Sequence, residues 1–125
     1  GTPDYRLPEN RQWSSVEHSS QLLKGVLDMC LLALIAEESS YGYEMASKLQ
    51  DRGLELVSEG SIYPLLSRLQ KRGYVDSHFV ESPGGPPRKY YRIQPTGSER
   101  LQHWAGEWNR VSDGVGEILK GSNHV

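Results

Sequence analysis

The chain has 125 residues, 36% hydrophobic and 24% charged, with a formal net charge of −2. That length suits one compact domain, and the composition is ordinary for a soluble globular protein. The longest apolar run, Met29–Ala36, has eight residues where a membrane span needs roughly 20. No early basic-then-apolar segment reads as a secretory signal. A single cysteine, Cys30, cannot close an internal disulfide, so a stapled secreted scaffold is excluded and a cytoplasmic location is expected.

Residues 1–20 contain two prolines and no apolar periodicity, and are expected to form a flexible N-terminal arm. Arg6 and Arg11 within it are assigned no function. Residues 21–37 are apolar around nearly the whole helical circumference from Met29 on, which predicts a helix buried on most sides. Lys24 and Asp28 sit four apart on its remaining polar face. Ser39-Ser40 supplies a cap signal for a second helix from Tyr41 to Arg52, closed by Gly53.

Residues 58–72 form the most informative predicted helix. Ile62, Leu65, Leu66 and Leu69 make one inward stripe, so Pro64, Ser67, Arg68 and Lys71 point away from the core, with Ser61 and Tyr63 on the flanks. Pro64 is expected near the helix start, where its missing N–H costs nothing. Residues 74–81 and 89–94 are rich in β-branched and aromatic residues, and the Pro- and Gly-rich stretch 82–88 between them predicts a hairpin with a protruding tip. Thr96-Gly-Ser-Glu99 has the spacing of a capping box. It opens a last helix in which Leu101, Trp104, Trp108, Val111, Val115 and Ile118 follow a heptad seam. Gly106, Gly114 and Gly116 weaken that helix, so it is expected to need a partner surface and to serve as a dimerisation element.

The charge is unevenly spread along these elements. Residues 58–95 carry six basic and three acidic groups, whereas residues 21–57 carry three and six. A local basic patch matters more to a polyanion than the overall balance does, although a merely solvated face gives the same split. Catalysis is not expected: His18, His78, His103 and His124 fall on separate elements, no metal-ligand spacing or nucleophile constellation is present, and no cofactor is implied.

Three helices, a hairpin and a last helix, with the third helix basic on its outer face, describe a mainly α (α+β) winged helix-turn-helix. The third helix fits a major groove, with Ser67, Arg68 and Lys71 toward bases and phosphates. Arg88 and Lys89 near the hairpin tip would lie along the backbone or minor groove. Periodicity alone leaves open whether these side chains meet DNA or only solvent.

The stretches Tyr41-Gly-Tyr43, Gly60-Ser-Ile-Tyr-Pro-Leu-Leu-Ser-Arg-Leu69 with Gly73-Tyr-Val75, and Pro87-Arg-Lys-Tyr-Tyr-Arg-Ile93 with Thr96-Gly97 resemble the phenolic-acid-decarboxylase regulator (PadR) family of bacterial transcription factors. The resemblance spans residues 22–119. It implies a winged helix-turn-helix homodimer on operator DNA, usually a repressor, with the last helix as dimer contact. It carries DNA-binding roles onto Ser61, Tyr63, Pro64, Arg68, Arg88 and Lys89. With a single helix after the wing, the chain looks like the short, multidrug-sensing branch. Glu107-Trp-Asn-Arg-Val111 matches the region where that branch stacks flat aromatic ligands, which would put Trp108 at the stacking position. Trp104 flanks it, and Asp28 could supply a counter-charge to a planar cationic effector. The plainer alternative makes Trp104 and Trp108 seam residues filling a dimer core, and Asp28 the partner of Lys24. Gln94-Pro95 and the glycines at 114 and 116 depart from the family pattern.

The expected division is an arm over 1–20, a DNA-binding domain over 21–95, a dimerisation helix over 96–121 and a tail over 122–125. The expected function is a ligand-responsive regulator, more often a repressor, binding an inverted repeat as a homodimer. The alternative is a winged-helix protein-interaction module that uses the same face on an acidic partner.

Overall fold

The computed structural model describes residues 22–55 and 57–122. The arm expected over residues 1–20 and all but Ser122 of the tail expected over 122–125 lie outside the described residues. Residues 22–24 are helical, but the chain turns at Gly25 and Val26 before helix α1 (Leu27–Glu37) begins. The single helix expected over 21–37 is therefore interrupted, at the residue least able to sustain one. Helix α1 buries Leu27, Leu31, Leu32, Leu34 and Ile35. It sits at the centre of the molecule, touching every other helix and the sheet.

Ser40 does not cap a helix as expected. Ser40–Tyr41 forms a short strand, β1, and the cap falls one residue later, where the Tyr41 backbone N–H donates to Glu44 Oε1 at 3.2 Å. Ser40 is fully buried, and its hydroxyl donates to the Glu38 carbonyl at 3.0 Å while accepting from Lys48 Nζ at 3.3 Å. Helix α2 (Gly42–Asp51) follows, and α3 (Glu59–Lys71) lays Ile62, Leu66 and Leu69 into the core. Pro64 stands in the body of α3, not at its start as expected. The carbonyl it leaves unpaired belongs to Gly60, which is exposed to water. Gly73, at φ +79°, ends the helix in the left-handed region, with the Tyr74 N–H returning to the Leu69 carbonyl at 3.1 Å.

Strands β2 (Val75–Ser82) and β3 (Gly85–Ile93) form an antiparallel hairpin, and the sheet order is β1-β3-β2. The loop expected over 82–88 shrinks to a turn at Pro83 and Gly84, so Pro86, Pro87 and Arg88 are strand residues. Prolines are tolerated there because β1 pairs only with Tyr90 and Tyr91, leaving the start of β3 with a free edge, and because the register is irregular between Val80 and Ser82. Helix α4 (Pro95–Ser122) has 28 residues. Thr96 does not build the expected capping box; its hydroxyl donates to the Gly73 carbonyl at 2.7 Å, tying α4 to the end of α3.

The core joins α1, α2, α3, Val57, Val75 and Tyr91, and Leu101 and Trp104 of α4 pack against its rim. Beyond Trp104 nearly all of α4 is exposed. The result is a mainly α winged helix-turn-helix followed by a long helix. Among the described residues no helix is long and apolar enough to cross a membrane.

Candidate nucleic-acid interface

At about 100° per residue, the core stripe of α3 leaves its outer face centred on Pro64 and Lys71. Both are exposed. The flanking residues divide between two surroundings. Glu59, Tyr63 and Ser67 face the wing and share a groove of about 550 Å³ with Tyr41, Tyr43, Arg88 and Lys89. Ser61 and Arg68 lie on the opposite flank, in a hollow with Leu23, Lys24, Leu27 and Leu65. The α3 residues assigned to DNA from the sequence thus form an outer ridge with two sides rather than one patch, with Arg88 and Lys89 across the groove on the wing.

The wing side is ordered by aromatic rings. The Arg88 guanidinium lies 4.7 Å from the Tyr41 ring centroid, and the Lys89 ammonium 5.6 Å from that of Tyr91. Tyr41 in turn stacks on Tyr43 and tilts against Tyr90. These contacts hold the two cations on exposed strand backbone without neutralising them. Tyr63 reaches the same groove because residue 42 is glycine: a methyl group there would stand 2.6–2.8 Å from the Tyr63 ring and hydroxyl. The Tyr63 hydroxyl donates to the Glu59 carboxylate, and that bond, with partial burial, pushes its pKa up to about 12. Tyr63 therefore stays a neutral donor. The sequence alone assigns no role to Glu59, Tyr41, Gly42 and Tyr43; the Tyr-Gly-Tyr motif is the available signal, and its meaning depends on the fold bringing Tyr63 beside it.

The other flank carries a correction. Among the described residues Asp28 pairs with Arg68, Nη1 to Oδ2 at 3.6 Å, and not with Lys24 four residues earlier. Asp28 also lines a cavity of about 460 Å³ between α1 and α4, together with Lys24, Met29, Trp104, Glu107 and Trp108. The three residues expected around an effector, Asp28, Trp104 and Trp108, thus share one cavity. Trp104 forms a fixed wall, its ring held edge-on by Tyr74 at 5.9 Å and 86°. Trp108 is 46% exposed.

The expected dimer seam also divides. Leu101 and Trp104 are engaged by the chain's own core, whereas Val111, Val115 and Ile118 continue the exposed stripe that Trp108 begins. Among the described residues no group of His, Cys, Asp and Glu side chains could hold a metal ion.

Residues 31–103 match the transcriptional regulator PadR-like family. An uncharacterised protein of Lysinibacillus sphaericus is 30% identical over 104 residues, 82% of this chain and 95% of that one. The crystal structure of a PadR-like transcriptional regulator from Bacillus cereus is 46% identical, with a TM-score of 0.72 over 79% of this chain and 96% of the other. A PadR-family transcriptional regulator from Eggerthella lenta is 32% identical, with a TM-score of 0.76 over 90% of this chain and 96% of the other. Bacillus subtilis PadR in complex with operator DNA, 23% identical over 64% of this chain and 46% of its own, shares the fold with a TM-score of 0.59. The family motifs fall on the ridge of α3, the wing and the Tyr41–Tyr43 segment that joins them, and the chain belongs to the PadR-like family of transcriptional regulators.

Proposed function

We propose that the protein binds operator DNA as a homodimer, with α3 in the major groove and the wing on the flanking backbone or minor groove. The observation that carries this reading is the placement of Arg88 and Lys89 across one groove from Tyr63 and Ser67, beside an exposed ridge bearing Lys71. Exposed cations on two adjacent elements give affinity through counterion release, while the α3 ridge can present side chains to base edges. A protein of the same fold, Bacillus subtilis PadR, has been crystallised with operator DNA. Ser61, Pro64 and Arg68 complete the proposed contact surface.

The exposed stripe Trp108, Val111, Val115 and Ile118 is the proposed homodimer contact, extended toward the core by Leu101 and Trp104. A two-fold dimer sets its two α3 helices about one DNA turn apart, so the operator is an inverted repeat. The cavity between α1 and α4 is the proposed effector site, and its two indoles favour a planar aromatic compound, as in the multidrug-sensing branch the chain resembles. Effector binding would release DNA, making the protein a repressor.

Selection of bound fragments from random or genomic DNA at about 150 mM salt tests this directly. One inverted repeat should be enriched, and Arg68→Ala combined with Lys71→Ala should abolish its binding while the protein stays dimeric. No enrichment from folded dimer would replace the reading with a winged-helix module that binds an acidic protein.

A further inference from the structure

The Asp28 carboxylate stands where two surfaces meet, beside Lys24, which lines both. On one side it lines the indole cavity, and on the other it pairs with Arg68 of α3. Its side chain is 23% exposed against 47% for Arg68, so Asp28 is the more desolvated partner and depends more on having a cation beside it. Among the described residues, the ionisable groups lining the cavity are Asp28, Glu107 and Lys24, two carboxylates against one ammonium. That balance, next to two indole rings, selects a cation over a neutral or anionic occupant.

We propose that Asp28 couples the cavity to the DNA-facing helix: a cation in the cavity engages its carboxylate and draws it away from Arg68. This rests on reading the cavity as an effector site, and it adds which residue transmits occupancy to α3. With Asp28 in place, the guanidinium is drawn toward the carboxylate on the flank of α3. Once the carboxylate turns to a cation in the cavity, Arg68 loses that anchor and regains the rotamer freedom of a long side chain. Its contribution to the operator contact then weakens. Asp28 is thus a positioning residue, acting on DNA only through Arg68. The effect of a ligand is bounded by its differential preference for the two arrangements.

The test compares N-methylquinolinium with its uncharged isostere 1-methylnaphthalene. Binding is followed by equilibrium dialysis, and operator affinity by anisotropy of a labelled site at fixed ionic strength. The quinolinium should bind the wild-type protein more tightly than the isostere, and at matched occupancy only the quinolinium should weaken operator binding, by about fivefold, the lower end of usual allosteric couplings. Asp28→Asn should already show that weakened affinity with no ligand present, and the quinolinium should add nothing. Asp28→Glu, which keeps the charge, should restore both operator affinity and the response, which separates lost coupling from lost folding. In an Arg68→Ala background, Asp28→Asn should change nothing further. The coupling is overturned if Asp28→Asn binds operator like the wild type, if the quinolinium still releases that variant, or if the neutral isostere releases operator equally well. If neither compound binds, the effector-site reading falls and the coupling falls with it.

Discussion

Tyr63 is positioned by two residues on different elements: Glu59, one turn earlier on α3, accepts its hydroxyl, and Gly42 leaves room for its ring at the start of α2. The ionised carboxylate favours the protonated phenol, as burial does. A group whose folded-state pKa is raised stabilises the fold while protonated. This contribution is present below the ordinary tyrosine pKa of 10.0 and is lost as pH rises toward about 12. Glu59→Gln removes the charge but keeps an acceptor, so Tyr63 should titrate closer to 10.0 in an ultraviolet difference titration against Tyr63→Phe. An unchanged titration in Glu59→Gln would assign the shift to burial and the retained hydrogen bond rather than to the carboxylate's charge. Gly42→Ala should push the Tyr63 ring out of the groove and break the same bond. Its signature is a lowered Tyr63 pKa together with weaker operator binding in a protein that still folds, because Tyr63 is exposed and can move.

Helix α4 is held by its first three turns and free thereafter. Gly97 is buried, and a methyl group on it would stand 2.1 Å from the Tyr74 carbonyl oxygen, so α4 meets the end of α3 backbone to backbone. Gly97→Ala should therefore cost about 1–3 kcal/mol in urea unfolding, because the contact cannot yield by a rotamer change. Gly114 and Gly116 are the opposite case, with nothing within 4 Å of an added methyl. Alanine at both should stabilise the helix by about 1 kcal/mol each, unless a partner's backbone approaches there. A gain in stability with a weaker dimer would place that approach at these glycines. The contrast also marks how far the sequence could be read. The periodicity of α3 and α4 located both helices to within a residue or so, because a helix is a local pattern. Strand β1 escaped because two residues become a strand only when β3 arrives beside them. The second wing strand starts at Gly85 rather than at Lys89 as expected, because Pro86 and Pro87 look like breakers until their edge is seen to be unpaired. Spacing along one helix offers Lys24 as the alternative partner of Asp28, but the chain turns at Gly25 and Val26, and Arg68 supplies the cation across the fold instead.

At the scale of the whole molecule, the fold leaves one surface without a partner among the described residues. Trp108, Val111, Val115, Ile118 and Leu119 are between 45% and 73% exposed along a single helix, while Leu101 and Trp104, on the same seam, are already committed to the core. A helix that is anchored at one end and apolar along the other presents its free half to a second copy. Val111→Glu with Ile118→Glu places charge in the middle of that stripe, more than a turn beyond the last residue packed on the core. Sedimentation should report a monomer, and the melting temperature should no longer depend on protein concentration. The helix content should stay unchanged through Trp104. Because a monomer engages one half-site where the dimer engages two, operator affinity should fall by about a hundredfold or more while binding to an isolated half-site is unaffected. If the variant remains dimeric, the contact lies elsewhere. If it is monomeric yet keeps full affinity for the inverted repeat, the two-fold arrangement of the α3 helices is not what reads the operator.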